Sequence, residues 1–249
     1  MKIAILGAGN VGVPLAKAFA VDGHAVKLAN SRDPETLREL AASLGVTAAW
    51  TADAVRDVDV IITTVNLNSY AAIRSLLDGV PDDVPVIDTG NYHPYRDGHI
   101  AAIDDGQLEA RWISEQLGRP VTKAWNAVLA QTLAEKGTPA GIPGRIALPV
   151  AGDDPDARRL AAELTDITGF DPVDIGGLDN TWRAHPGTSA YCTELPREAL
   201  LAAIERADRQ HAPLRRDLCM QAFVSFGDAL DRENTVRLHR AITLTPDPA

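Results

Sequence analysis

Short aliphatic runs alternate with amphipathic stretches along the first three-quarters of the chain. KIAIL (2–6), AVKLA (25–29), VDVIITTV (58–65) and VPVIDTG (84–90) are nearly continuous in their apolar residues rather than strictly alternating. Runs of this kind predict parallel strands covered on both faces. Between the first two, a helix is predicted from about Asn10 to Val21, with Val11, Leu15 and Phe19 on one face. DPETL (33–37) opens the next helix, Asp33 suiting the cap and Pro34 the first turn. RPVTKAWN (119–126) and GRIALPVAG (144–152) are further strand candidates. DDPDARRLAAELTDITG (153–169) repeats the Asp-Pro opening, and DPVDIGG (171–177) closes the series. This β-α-β rhythm to about Leu178 predicts an α/β fold with a Rossmann-type, doubly wound parallel sheet.

After Leu178 the pattern changes. PREALLAAIERADRQ (196–210) and PLRRDLCMQAFVSFGDAL (213–230) are helical, each opened by proline, and Leu214, Leu218, Ala222 and Phe226 recur every four residues. A small helical C-terminal extension is expected there, which divides the chain into residues 1–178 and 179–249. TLTPDPA (243–249) reads as a frayed tail.

A chain of 249 residues, 45% hydrophobic, is long enough to bury a sizeable core. The net charge of −10 disfavours non-specific binding to nucleic acid or to an anionic membrane. Cys192 and Cys219 are too few for a disulfide framework or a zinc quartet. The longest aliphatic run falls far below the roughly 20 residues that span a bilayer. A soluble, cytoplasmic protein is expected.

GAGNVG places Gly7, Gly9 and Gly12 between a strand and a helix, with Asn10 and Val11 completing the turn. In that context the first glycine serves the tight turn, the second admits a pyrophosphate, and the third lets helix and strand pack closely. The helix N-terminus adds free N–H groups. An NAD-binding chain usually carries an acid about 20 residues further on. Here the position holds Asn30, followed by Ser31 and Arg32. An uncharged amide beside a hydroxyl and a guanidinium matches a 2′-phosphate, so the expected cofactor is NADP. Thr63, Thr64, Val65 and Asn66 leave a strand at its carboxyl end, where such sheets gather ligands. They either face the cofactor or merely end the strand. NYHPYRDGH (91–99) concentrates polar groups but lacks metal-ligand spacing, and reads as solvated loop with no metal. Lys123, Trp125 and Asn126 fall where a strand runs into a helix. Trp125 and Asn126 suit a planar partner beside a nicotinamide, with core packing as the alternative for Trp125.

The segments ILGAGNVG, NSRDPETL, VIDTGN, VTKAWNA and DNTWRAHPGTSAYCT resemble the NADP oxidoreductases dependent on coenzyme F420, a deazaflavin, over most of residues 1–195. The KAWN segment is also similar to KAFN in the reductase domains of transmembrane metalloreductases. The resemblance implies a Rossmann-type domain with a small C-terminal part, often dimeric, and hydride exchange between NADP and the deazaflavin or a flavin-like acceptor. It implies Gly7, Gly9, Gly12, Ser31 and Arg32 at NADP, and Trp125 and Asn126 on the substrate side. Two other functions fit the same first domain. One is reduction of a small carbonyl or imine, with Lys123 or Tyr92 as proton donor. The other is an NADP-sensing regulatory module.

Overall fold

The computed structural model describes residues 1–247. β1 (Lys2–Leu6) leads through the glycine turn into α1 (Gly12–Val21), and β2 (Ala25–Ala29) follows. Asp33 accepts a hydrogen bond from the Glu35 amide and caps a short 3-10 turn, Pro34–Leu37, that runs into α2 (Arg38–Leu44). β3 (Thr47–Ala48), α3 (Thr51–Ala54), β4 (Val60–Thr63), α4 (Tyr70–Arg74) and β5 (Val86–Asp88) come next. The segment after β5 holds two single-turn helices, α5 (Pro94–Asp97) and α6 (Ala101–Asp104), and then α7 (Glu109–Leu117). β6 (Val121–Lys123), α8 (Ala130–Glu135), β7 (Ala147–Val150), α9 (Pro155–Ile167) and β8 (Asp171–Asp174) complete the α/β part. α10 (Arg197–Glu205), α11 (Ala212–Phe226) and α12 (Arg232–Thr243) form the helical C-terminal region.

The main sheet is parallel, in the order β3-β2-β1-β4-β5-β6. The chain starts at the centre, runs to one edge, and returns to build the other half. The switch point therefore lies between β1 and β4, where ligands collect in sheets of this type. Pairing aligns Leu6 with Ala29 and with Thr63, Thr63 with Asp88, and Asp88 with Lys123. One row of residues thus marks the carboxyl edge, and Gly7, Asn30, Thr64, Thr89 and Ala124 stand just beyond it.

The period-two alternation of strand side chains sends Ile3 and Ile5 to one face and Ala4 and Leu6 to the other. The first pair packs with Leu15, Phe19, Leu28 and Trp125, and the second with Ile61, Tyr70, Ile113 and Leu117. Both faces are buried, which is what the nearly continuous aliphatic runs require.

Two expectations need correction, and the structure settles the direction of one helix face. β7 and β8 form as foreseen, but they pair only with each other in a separate parallel sheet. Their link to the main sheet is an antiparallel bridge, Lys123 to Ala151, so β7 runs against β6 and cannot extend the parallel series. On α11 the four-residue repeat faces outward: Leu214, Leu218 and Phe226 are exposed, while Ala212 and Cys219 are buried. The helix packs through its other side against α12. The end of the chain is not wholly frayed: Thr243 and Thr245 are buried, and the Thr245 hydroxyl reaches the Ser189 carbonyl at 3.3 Å. The rest of that expectation, at 248–249, lies outside the described residues. Among the described residues no helix is long and apolar enough to cross a membrane.

Candidate active site

The glycine turn separates three jobs. Gly7 has φ +119°, and a Cβ there would sit 2.4 Å from the Thr64 carbonyl oxygen. A Cβ on Gly12 would sit 1.9 Å from the Gly7 carbonyl oxygen and 2.7 Å from Thr64 Oγ1. Any larger residue at either place forces the strand-helix junction apart. Gly9 is different: a Cβ there meets nothing within 4 Å. The space over Gly9 is open beside the first turn of α1, and Asn10 next to it is exposed. The absence of a side chain at Gly9 serves no packing need inside the protein, which fits a cradle for a pyrophosphate. Val11 is half-buried and packs on the core, so it supports the turn from beneath.

Thr64 braces the turn. Its hydroxyl donates to the Gly7 carbonyl at 2.8 Å, and its amide donates to the Leu6 carbonyl at 2.8 Å. Val65 is half-buried and Asn66 exposed at the mouth of the same crevice. Of the two roles open to Thr63, the structure favours the strand end over a place facing the cofactor. Thr63 is fully buried, and its hydroxyl donates to Asp88 Oδ2 at 2.7 Å. Strand alternation turns it under the rim, where Asp88 needs hydrogen-bond donors.

At the end of β2 the Asn30 side chain accepts a hydrogen bond from the Arg32 amide at 2.8 Å. This Asx-type turn uses the amide oxygen locally and leaves Ser31 and Arg32 exposed. Among the described residues no ion pair holds the Arg32 guanidinium.

Below the rim between β4 and β6 lies a buried polar knot. The Lys123 ammonium donates to Asp88 Oδ1 and to the Gly90 carbonyl, and the Tyr70 hydroxyl donates to Asp88 Oδ2. The Lys123–Asp88 pair is almost wholly screened from water. Burial, then the Asp88 charge, holds the Tyr70 phenol well above its ordinary pKa, so it remains a donor. The knot fixes the Asp88–Gly90 turn and so places Asn91. The Asn91 side-chain amide donates to the Asn126 carbonyl at 2.7 Å. The Asn126 amide donates to Asn91 Oδ1 at 3.3 Å and to the Ala184 carbonyl at 3.2 Å. Asn126 therefore ties the ends of β5 and β6 to the segment that enters the helical region.

Trp125 is placed otherwise than expected for a ring beside a nicotinamide. Its backbone adopts φ +55°, and this turn sends the indole back into the core. There it is 1% exposed, meets Phe19 edge-on at 6.0 Å between ring centroids, and donates from Nε1 to Thr168 Oγ1 at 3.0 Å. A fully buried, hydrogen-bonded indole offers no face to a ligand. Lys123 is likewise buried and committed to Asp88 and Gly90 rather than presented to the crevice.

The NYHPYRDGH segment is not simply solvated. Tyr92 is buried, and its hydroxyl donates to Asp104 Oδ1 at 2.9 Å and accepts from the Ile100 amide. His93 is held neutral by burial, its pKa lowered to about 4. Two cavities lie between this segment and α11. One, of about 260 Å³, is walled by His93, Leu129, Tyr191, Met220, Phe223 and His239. The other, of about 230 Å³, is walled by Tyr92, Glu109, Trp182, His185, Arg209 and Arg216. Pro186 and Arg216 border both. In the second wall, Glu109 Oε1 stands 3.3 Å from His185 Nδ1, and Glu109 Oε2 accepts from the Tyr92 amide at 2.9 Å. Burial raises Glu109 to about 7 and lowers His185 to about 3. Both groups are therefore largely neutral at about pH 6, and near pH 7 Glu109 is divided between its two forms. The sequence reading passed over Glu109 and His185. A signal was present: Glu109 shares the apolar face of α7 with Ile113 and Leu117, an unusual place for a carboxylate.

The family described as NADP oxidoreductase, coenzyme F420-dependent, matches residues 2–92. That segment holds the glycine turn, Asn30 to Arg32, Thr64 to Asn66, Asp88 and Asn91. The Escherichia coli protein YjhV is 33% identical over 104 residues, covering 42% of this chain and 76% of that protein. A crystal structure of a hypothetical protein from Sinorhizobium meliloti is 32% identical, covers 73% of this chain and 87% of that one, and superposes with a TM-score of 0.61. The chain belongs to the F420-dependent NADP oxidoreductase family. A crystal structure from Arthrobacter sp. FB24, described as a candidate F420-dependent NADP reductase, shares the fold at 19% identity. It covers 91% of this chain and 95% of its own, with a TM-score of 0.60. As an F420-dependent NADP oxidoreductase family member, the protein is an NAD(P)-dependent oxidoreductase acting on a small-molecule redox substrate. Lys123, Asn126, Glu109 and His185 lie beyond the matched segment.

Proposed function

We propose that the protein exchanges a hydride between NADP and a planar redox partner, a deazaflavin or a flavin-like molecule. The observation that carries this reading is the glycine turn, in which Gly7 and Gly12 are sterically locked and Gly9 alone is open. Gly9 and the amides of Asn10 and Val11 would hold the pyrophosphate, and Ser31 and Arg32 the 2′-phosphate. The absence of an acid at position 30 removes the repulsion that a 2′-phosphate would meet. When bound, the nicotinamide supplies two electrons and a hydrogen to one carbon of the partner.

The chain's own part is positional. Thr64 to Asn66 border the nicotinamide crevice on one side, and Asn91 with Asn126 border it on the other. The Lys123–Asp88–Tyr70 knot keeps the Asn91 turn rigid, so that reacting rings meet in one geometry. Residues 1–178 carry the dinucleotide, and residues 179–249 close over the partner, since α11 walls both cavities. Trp125 supports this arrangement from the core rather than by stacking.

Reduction of a carbonyl or imine with Lys123 or Tyr92 as proton donor is less well supported. The Lys123 ammonium is committed to Asp88 and Gly90, and the Tyr92 phenol to Asp104. The test is NADPH oxidation with a deazaflavin, a flavin, a quinone and a ferric chelate, each compared with no acceptor. Oxidation fastest with the deazaflavin or flavin is expected. Tight NADPH binding with no oxidation by any acceptor supports the sensing module instead.

A further inference from the structure

A partner that accepts a hydride on carbon also needs a proton on a heteroatom. Lys123 and Tyr92 direct their protons to Asp88 and Asp104, whereas the Glu109–His185 pair leaves His185 Nε2 without a partner among the described residues. Glu109 opens α7 on the face shared with Ile113 and Leu117, so its carboxyl enters the protein. The Tyr92 amide anchors one oxygen at 2.9 Å, and the other lies 3.3 Å from Nδ1 of His185. The far nitrogen, His185 Nε2, is buried with no hydrogen-bond partner among the described residues. Both side chains line the cavity of about 230 Å³ whose remaining wall includes Trp182, Arg209 and Arg216. A buried polar atom without a partner costs free energy, and in a cavity wall it marks where a ligand atom completes the bonding.

We propose that Glu109 and His185 form a proton relay serving this cavity, and that the substrate is a two-electron acceptor with a conjugated C=N or C=O unit whose heteroatom is protonated by His185. This rests on the hydride-transfer reading above. Reduced nicotinamide, when bound, supplies the hydride: its C–H bond breaks, a C–H bond forms on the acceptor carbon, the nicotinamide is oxidised and the acceptor reduced. The π electron pair moves onto the acceptor heteroatom, which takes the proton from His185 Nε2. Nδ1 of His185 then takes the carboxylic proton of Glu109. His185 starts and ends neutral, Glu109 ends as a carboxylate, and solvent restores its proton.

The surroundings suit that sequence. Burial favours a neutral acid beside a neutral imidazole, with Glu109 near 7 and His185 near 3. Lys123 and Arg216 face Glu109 and favour the carboxylate left behind, while Asp88 opposes it. Tyr191 also faces Glu109. Lys123 and Arg209 face His185 and disfavour an imidazolium.

The test follows single-turnover reduction of a soluble deazaflavin and of dihydroisoquinoline, a cyclic imine conjugated with an arene, by bound NADPH across the pH range, in water and in D2O. Wild type, Glu109→Gln, Glu109→Asp and His185→Asn are compared. An infrared titration of the protein without acceptor reads the carboxyl directly. The expected rate for at least one acceptor falls as pH rises through about 7 and is slower in D2O. Glu109→Gln and His185→Asn each lose about 100-fold or more, typical of a removed general acid. Glu109→Gln also loses the pH dependence, and Glu109→Asp restores part of it. A protonated-carboxyl band titrating near 7 is expected in wild type and missing in Glu109→Gln. The infrared and isotope measurements on wild type stand even where a variant fails to fold. An unchanged pH profile in Glu109→Gln, or no such band in wild type, overturns the relay. NADPH bound with neither acceptor reduced, or with only a quinone or ferric chelate reduced, overturns the relay and its substrate class but leaves the cofactor reading. No NADPH binding overturns both.

Discussion

Replacing Gly9 with alanine separates cofactor binding from folding, because the two effects have opposite sign. The backbone at Gly9 lies outside the left-handed region, and the added methyl meets no protein atom within 4 Å. Gly→Ala at such a site stabilises by about 0.4–1 kcal/mol through the unfolded chain. For a protein of this size that raises Tm by roughly 1–4 °C. The same methyl occupies the approach to the backbone amides. Losing one charge-assisted hydrogen bond costs about 1.5–3 kcal/mol. At 1.4 kcal/mol per tenfold, NADPH binding weakens by roughly 10- to 100-fold. Gly12→Ala is the control with the reverse profile, since its methyl would sit 1.9 Å from the Gly7 carbonyl oxygen. Overpacking there costs about 1–3 kcal/mol of stability. Thermal melts and NADPH titrations of the two variants give the comparison. A Gly9→Ala protein that is stable and binds NADPH like wild type would refute the pyrophosphate cradle.

Arg32→Ala is expected to weaken NADPH roughly 10- to 100-fold and NADH much less, by the same hydrogen-bond arithmetic; equal losses in paired titrations would assign Arg32 to the fold or the adenine. Asp88→Asn leaves the Lys123 charge buried without its carboxylate, and urea unfolding should show a loss of about 3–5 kcal/mol. Trp125→Ala should cost about 3–5 kcal/mol in stability while the folded fraction keeps its NADPH affinity; lost affinity at unchanged stability would return Trp125 to the site. The pH dependence has a definite sign. His93, His185 and His239 are all depressed by burial from 6.5, to about 4, 3 and 4. Each binds a proton more readily when unfolded, so stability is present above about 6.5 and falls as the pH drops towards 4. The raised Glu109 works the other way between 4.5 and about 7, so the histidines dominate. Urea midpoints that hold steady from pH 7 to pH 5 would contradict this.

The sheet was legible because its strands are buried on both faces, and nearly continuous aliphatic runs have few other uses. β3 was not: two residues, Thr47 and Ala48, carry no periodicity. The placing of β7 and β8 was hidden because a strand's sequence does not say which edge it joins. The antiparallel contact at Lys123 and Ala151 is a tertiary outcome. In the site, the glycine turn was readable since its spacing is local to one strand-helix junction. Trp125 was misplaced because one left-handed residue reverses which side chain enters the crevice. Thr63, Asp88, Tyr70 and Lys123 come together only through strand register and one helix, so no single segment announces the knot. Glu109 and His185 lie far apart in the chain and meet only in the wall of a cavity. The outward apolar stripe of α11 shows the limit of periodicity: a four-residue repeat defines a face but not the direction it points.

Equilibrium titration of NADPH and NADH into the wild-type protein tests the central claim most directly. The open Gly9, the uncharged Asn30 and the exposed Ser31–Arg32 pair predict saturable binding of both, with NADPH tighter by roughly tenfold or more. Equal affinities would contradict the NADP assignment, and no binding of either would contradict the dinucleotide site itself.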